Sequence, residues 1–216
     1  MARVVVISDT HLQHDRLSLP EGDLLIHAGD FTSQGTAREV SRFVTWLDKQ
    51  PHPNKVIIAG NHEFCAETVP RIFRGLLSPG IHYLRDSGIT LCGLSIWGSP
   101  YTPIFCDWAF NAGPETIEKS WRKIPKNLDV LITHGPPHGI LDLVLRGENV
   151  GCPILREAVR KKKPRYHLFG HIHEGRGQHF EDGTLFINAS SLDGHYRGPF
   201  DPIVLDIEPG AISSSP

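Results

Sequence analysis

Cysteine is scarce and scattered in this 216-residue chain: Cys65, Cys92, Cys106 and Cys152 stand far apart, with no C-x-x-C pair among them. That excludes a disulfide-stapled scaffold and a thiolate zinc site, and the four read as reduced thiols. No apolar run approaches the roughly 18 residues that suggest a membrane span. The N-terminal ARVVVIS enters a strand-like segment directly. A cytoplasmic protein with no membrane partner is the expectation. An excess of one charge is missing too: 22 basic and 24 acidic side chains leave a net charge of -2, so no general attraction to nucleic acid is expected. Neither repeat nor linker interrupts the chain, and its length suits one sizeable core. Histidine is the residue in unusual supply, at 13.

Apolar runs alternate with helix-like stretches, as in an α/β protein with buried parallel strands. Strands are predicted over 3–8, 24–28, 55–59, 130–133 and 167–169, and helices over 36–49, 114–122 and 153–162. Residues 88–97 alternate like a hairpin, 180–188 contain the Asp182-Gly183 turn signal, and 203–207 read as a final strand. The domain is expected to fill 1–209, with 210–216 a frayed tail. The one basic cluster, RKKKPR at 160–165, sits where a helix ends: cations there meet the helix dipole and Pro164 stops the helix, so a solvated surface accounts for it.

The informative feature is the set of residues just past each of five strands. VVVIS leads to Asp9-Thr10-His11, LLIHAG to Asp30, VIIAG to Asn61-His62-Glu63, VLIT to His134, and HLF to Gly170-His171-Ile172-His173. In open α/β sheets the functional crevice lies outside the carboxyl ends of the strands, so these dispersed residues can meet on one rim. Singly the pieces are weak, since Asp after Gly is common in turns and Asn-His can cap a helix. Together, Asp9, His11, Asp30, Asn61, His134, His171 and His173 form a metal-ligand set. In extended backbone His171 and His173 would point the same way about 6.6 Å apart, serving one ion or two neighbours. Seven donors exceed what one first-row ion takes, and two ions sharing a carboxylate fit better.

These elements resemble, in order and type, the calcineurin-like metallophosphoesterase superfamily, whose pattern is D-x-H, G-D, G-N-H-[DE], a lone His and G-H-x-H. HGPPHGILD at 134–142, FGHIHEG at 169–175 and INAS at 187–190 further resemble the metallophosphoesterase-domain-containing (MPPED) group, itself similar to class III cyclic nucleotide phosphodiesterases. The resemblance implies an α/β fold of two packed mixed β-sheets flanked by helices, a four-layer sandwich. It also implies a dinuclear centre with Asp30 bridging, Asp9, His11 and His173 on one ion, and Asn61, His134 and His171 on the other. The activity implied is hydrolysis of phosphodiesters, with (cyclic) nucleotides as candidates, by attack of a metal-bridging hydroxide with His62 as general acid. Phosphomonoester hydrolysis is the alternative, and a non-catalytic nucleotide-binding regulator or scaffold is the alternative of another class.

Charge counting agrees with a phosphate substrate. Two divalent ions bring four positive charges, and only Asp9 and Asp30 among the ligands are anionic, leaving a residual charge to hold a phosphoryl group. Oxygen and imidazole donors suit Mn, Fe, Zn or Co. Asn61, His62, His138 and His14 are the candidates for touching substrate, because each follows or belongs to a metal motif. His27, inside an apolar strand, reads as a hydrogen-bonded core residue. Phe31, Phe64, Trp97, Tyr101, Phe105, Trp108 and Phe110 lie in segments expected over the rim, where each is read first as core or lid and second as a stacking surface. Asn188, Ser190 and Ser191 could donate hydrogen bonds to the rim or form an ordinary turn.

Overall fold

The computed structural model describes residues 1–210. In β1 (Ala2–Ile7) the alternating side chains Val4 and Val6, and Val5 and Ile7, are all buried, because both faces of the strand are covered. The same holds for β2 (Leu24–His27) and for the second half of β3 (Asn54–Ile57). With β4 (Ile81–Tyr83) these strands run parallel, and β13 (Ile203–Ile207) closes the other edge antiparallel to β1. The first sheet therefore has the order β13-β1-β2-β3-β4.

The second sheet begins with the hairpin of β5 (Ser87–Leu91) and β6 (Leu94–Ser99), and continues through β9 (Val130–Thr133) and β10 (Tyr166–Phe169). The hairpin of β11 (Gly177–Glu181) and β12 (Thr184–Asn188) completes it, in the order β11-β12-β10-β9-β6-β5. The four central strands are parallel and both edges antiparallel. A two-stranded ribbon, β7 (Thr102–Pro103) with β8 (Asn111–Ala112), lies in the loop after β6.

Three apolar clusters define the layers. Val4, Val6, Ile26, Val56, Ile96, Ile132, Leu168 and Ile187 fill the space between the sheets. Helices α1 (Ala37–Asp48), α2 (Phe64–Thr68) and α3 (Pro70–Leu76) cover the first sheet through Phe43, Leu47, Ala66 and Phe73. Helices α4 (Pro114–Arg122) and α5 (Pro153–Lys162) cover the second through Ile117, Trp121, Leu155 and Val159. The result is the expected α/β arrangement of two mixed sheets flanked by helices.

Helices over 114–122 and 153–162 fall where the sequence pattern puts them, and Thr36 caps α1 in a reciprocal pair with Glu39. Asp182 and Gly183 both have positive φ, 50° and 84°, as a tight hairpin turn requires. Helix α5 ends on Lys163 in the left-handed conformation. Periodicity missed α2, α3 and β4, whose five, seven and three residues are too short to repeat a pattern. Of the expected tail, Gly210 is tied down by its N–H donating to Asp129, and 211–216 lie outside the described residues. All four cysteines are free thiols, and among the described residues no helix is long and apolar enough to cross a membrane.

At the carboxyl ends of the strands the two sheets touch. Ser8, just past β1, pairs with Ser190, just past β12, and the Ser191 N–H donates to the Ser8 carbonyl at 2.8 Å. At the opposite end Asp129 does similar work: its carboxylate accepts from the Ser95 N–H and hydroxyl, from Arg165 and from the Gly210 N–H. Burial would raise this carboxyl, but those donors outweigh it and hold it below the ordinary aspartate range. Because the folded-state pKa is depressed, the stabilisation is present at neutral pH and is lost as pH falls through the folded value. Asp129→Asn should cost about 1–3 kcal/mol in urea melts at neutral pH. The gap from the parent protein should close in strong acid.

Candidate metal centre

The loops leaving β1, β2 and β10 adopt backbone that side-chain-bearing residues rarely take. Asp9, His11, Asp30 and His171 have φ of 51°, 39°, 58° and 69°. The loops hold one another, with the Asp9 N–H donating to the Gly29 carbonyl at 2.9 Å and the His11 N–H to the Asp30 carbonyl at 3.0 Å. Glycine is required beside the ligands. A Cβ on Gly29, which has φ of +101°, would sit 2.6 Å from His134 Nδ1, and one on Gly170 would overlap the Asp9 carboxylate and Ser8 hydroxyl.

The side chains from these loops converge. Asp9, His11 and His173 form one group whose ligand atoms lie within 4.8 Å of one another; Asp30, His134 and His171 form a second; His11, Asp30 and His62 overlap both. His134 Nε2 is 3.3 Å and His11 Nε2 3.8 Å from Asp30 Oδ2, and His173 Nε2 is 3.5 Å from Asp9 Oδ1. Asn61 Oδ1 stands 2.9 Å from His134 Nε2. The structure thus brings together all seven side chains of the predicted set. One expectation is corrected: the chain is not extended at 171–173. His171 is left-handed and a short turn starts at His173, so the rings separate into the two groups.

Several observations of the cluster fit cations. Asp9 and Asp30 are 0% and 2% exposed, and among the described residues no Lys or Arg pairs with either. Both nitrogens of buried His11 lack a hydrogen-bond partner, although a buried polar atom ordinarily has one. Burial lowers His11 to about 4 and His171 to about 3, keeping their lone pairs free at neutral pH. Burial would also lower His134 and His173, but Asp30 and Asp9 respectively outweigh it and raise each to about 9. Burial pushes both carboxyls up, yet the facing histidines dominate and hold both low. Without a metal, buried anions draw protons onto imidazoles; oxygen and nitrogen donors of this kind suit first-row transition ions.

Second contacts fix the donors. His134 Nδ1 donates to the Ala28 carbonyl and His173 Nδ1 to the Asp193 carbonyl, each at 3.0 Å, turning Nε2 inward. The His171 N–H bridges both Asp9 oxygens at 3.0 Å, and the Ser190 hydroxyl donates to Asp9 Oδ2 at 3.0 Å. Asn188 Nδ2 donates to the Ile172 carbonyl at 2.7 Å. Asn188 and Ser190 therefore brace the rim and are more than an ordinary turn. Glu63 is fully buried and accepts from the N–H groups of Asp30, Gly60 and Thr32 and from the Thr32 hydroxyl, at 2.6–2.9 Å. Burial and the neighbouring Asp30 raise it to about 7 against those donors.

His62 lies at the edge, with Nδ1 donating to the Ser33 carbonyl at 2.7 Å and Nε2 3.9 Å from Asp30 Oδ2. Trp108 packs over its ring at 4.4 Å, Phe105 on His171 at 5.1 Å, and Tyr196 on His11 and His173 at 5.0 and 5.3 Å. Of the seven aromatics in the segments expected over the rim, Phe31, Trp97 and Phe110 are core residues, in line with the first reading of each. Tyr196 was missed, because nothing local marks a loop residue more than twenty positions past His173, the last of the ligand histidines. His14 is also corrected. It is fully buried against Phe43 and Trp46, which bars it from substrate. His138 is exposed on the loop past β9, outside all three ligand groups. A cavity of about 850 Å³ among Ile89, Lys126, Lys163 and Arg165 shares no residue with the cluster.

Glu63→Gln would set an amide NH₂ against N–H groups that need an acceptor. The metal-free protein should lose about 2–3 kcal/mol in urea unfolding. An unchanged midpoint would remove the bracing role.

Comparison with known proteins agrees with this geometry. The chain is 41% identical to human metallophosphoesterase domain-containing protein 1, over 95% of its own length and 71% of that protein. It is 35% identical to the UPF0046 protein K07C11.7 of Caenorhabditis elegans, over 98% and 77%. The solved structure of TT1561 from Thermus thermophilus shares the fold with a TM-score of 0.63 at 13% identity, over 87% of this chain and 88% of that one. The calcineurin-like phosphoesterase profile matches residues 2–175, the stretch that carries every one of the converging strand-end donors. By sequence and by the architecture of its centre, the chain belongs to the calcineurin-like phosphoesterases.

Proposed function

We propose that the protein is a two-metal phosphoesterase of the MPPED group that cleaves phosphodiesters of small molecules, nucleotides among them. The observation that carries this is the pair of buried carboxylates, Asp9 and Asp30, each grouped with histidines and, among the described residues, paired with no Lys or Arg. Asp9, His11 and His173 would hold one ion and Asn61, His134 and His171 the other, with Asp30 between them. Mn, Fe, Zn or Co would fit these donors. When bound, such a pair neutralises phosphoryl oxygens and lowers the pKa of water.

The chain's own residues do the rest. The brace from Glu63 and the Ser190 contact hold the carboxylates in place, so the donors need no rearrangement when substrate arrives. His62, with Nδ1 committed to Ser33, presents Nε2 to the rim and is placed to give a proton to a departing oxygen. Trp108 backs that ring and limits its rotation. Trp108, Phe105 and Tyr196 offer flat apolar faces beside the site, with Phe105 48% and Tyr196 51% exposed. A diester presents an organic group on both sides of phosphorus, and these faces give the second group something to contact, which favours diesters over monoesters. We assign the whole activity to one domain over 1–209, working in the cytoplasm.

Chelation should abolish turnover, and added Mn²⁺ should restore it. Bis-nitrophenyl phosphate should be cleaved faster than mono-nitrophenyl phosphate; turnover of the monoester alone would reverse the preference. His62→Ala should keep its metal content and lose about 100- to 10,000-fold on ribose or alkyl esters, whose leaving groups need a proton. On nitrophenyl esters, whose leaving group is stable as an anion, the loss should be much smaller. Equal losses would remove His62 as the acid.

A further inference from the structure

We infer that His27 is a positioning residue whose two ring nitrogens staple the Asp9-Thr10-His11 loop to the Gly29-Asp30 loop and so set the affinity of the metal centre. His27 closes β2, is fully buried and belongs to none of the three ligand groups. Its Nδ1 lies 3.3 Å from the Gly29 backbone nitrogen and its Nε2 3.0 Å from Thr10 Oγ1. An amide N–H can only donate, so Nδ1 must accept, and the ring proton therefore sits on Nε2 and goes to the Thr10 hydroxyl. One neutral tautomer satisfies both bonds.

The two anchor points matter because of their neighbours. Thr10 stands between Asp9 and His11, and Gly29 precedes Asp30. Apart from Thr10 itself, every one of these residues has positive φ: 51° at Asp9, 39° at His11, 101° at Gly29 and 58° at Asp30. Backbone of this kind persists only where its surroundings over-determine it. Backbone bonds link the loops to each other, and Glu63 grips the Asp30 N–H from the β3 side. The His27 side chain bonds to both loops. Its own ring is fixed edge-on by Phe31 at 5.6 Å and Phe43 at 5.2 Å, with interplanar angles of 88° and 81°. The packing of α1 on the first sheet, through Phe43, is thereby coupled to the spacing of Asp9, His11 and Asp30.

The inference rests on the two-metal reading, and its test measures Mn²⁺ binding to the whole chain, with no ester present. His27→Phe fills the space and removes both bonds; Mn²⁺ affinity by calorimetry should fall about 10- to 100-fold, as for other partners behind metal ligands. The metal-free protein should still melt cooperatively. His27→Asn retains an acceptor near Nδ1 and His27→Gln a donor near Nε2, so each should lose less than His27→Phe. Thr10→Val, which deletes one anchor without changing shape, should weaken binding in the same direction and serves if His27→Phe does not fold. Long-range ¹H–¹⁵N spectra should place the His27 proton on Nε2. Parent-like Mn²⁺ affinity in His27→Phe, or in Thr10→Val where the Phe variant is unfolded, overturns the staple alone, as does a proton on Nδ1. A parent protein that binds no Mn²⁺ overturns both the staple and the two-metal reading.

Discussion

Two buried carboxylates that no Lys or Arg pairs among the described residues organise this molecule. Asp9 and Asp30 sit between two sheets, sealed from solvent and faced by histidines. Stripping a carboxylate of water costs several kcal/mol unless charge and hydrogen bonds are returned to it. The protein returns hydrogen bonds through the His171 and His62 amides and Ser190. Charge it leaves to imidazoles, which must take up protons, or to cations supplied from outside. A site so built is strained in its backbone and unbalanced in its charge, and both features favour occupancy by metal.

The layers around the site explain how that arrangement survives. Parallel strands buried on both faces make a rigid floor, and the Ser8–Ser190 bridge locks the carboxyl ends of β1 and β12 together. Ligands from both sheets can then meet at hydrogen-bond distances although they lie up to 164 positions apart, from Asp9 to His173. Glu63 works from the β3 side and Asn188 from the β12 side. The three aromatic faces belong to loops outside this floor, which is where substrate preference can vary without disturbing the donors.

Much of this was legible in the chain. Apolar runs ending in Asp, Asn or His marked the five ligand-bearing strands, and their convergence followed from the rule that strand carboxyl ends share one rim. The division of His171 and His173 between two ions came from the family resemblance; the backbone that achieves it was not legible, because it depends on one left-handed residue that the H-x-H spacing does not reveal. His14 looked like a rim residue by proximity to D-x-H, yet the chain turns it beneath Phe43 and Trp46. Tyr196 and the bracing by Glu63 arise from tertiary contacts with no local pattern. The short α2, α3 and β4 escaped for a simpler reason: a period cannot be read from a few residues.

The central claim is that the seven donors clasp two ions around Asp30. Anomalous diffraction from crystals soaked in Mn²⁺ tests it most directly. Two peaks roughly 3.5–4 Å apart, one beside Asp9, His11 and His173 and the other beside Asn61, His134 and His171, are the expected result. A rim without peaks, or a single ion away from Asp30, would contradict the account.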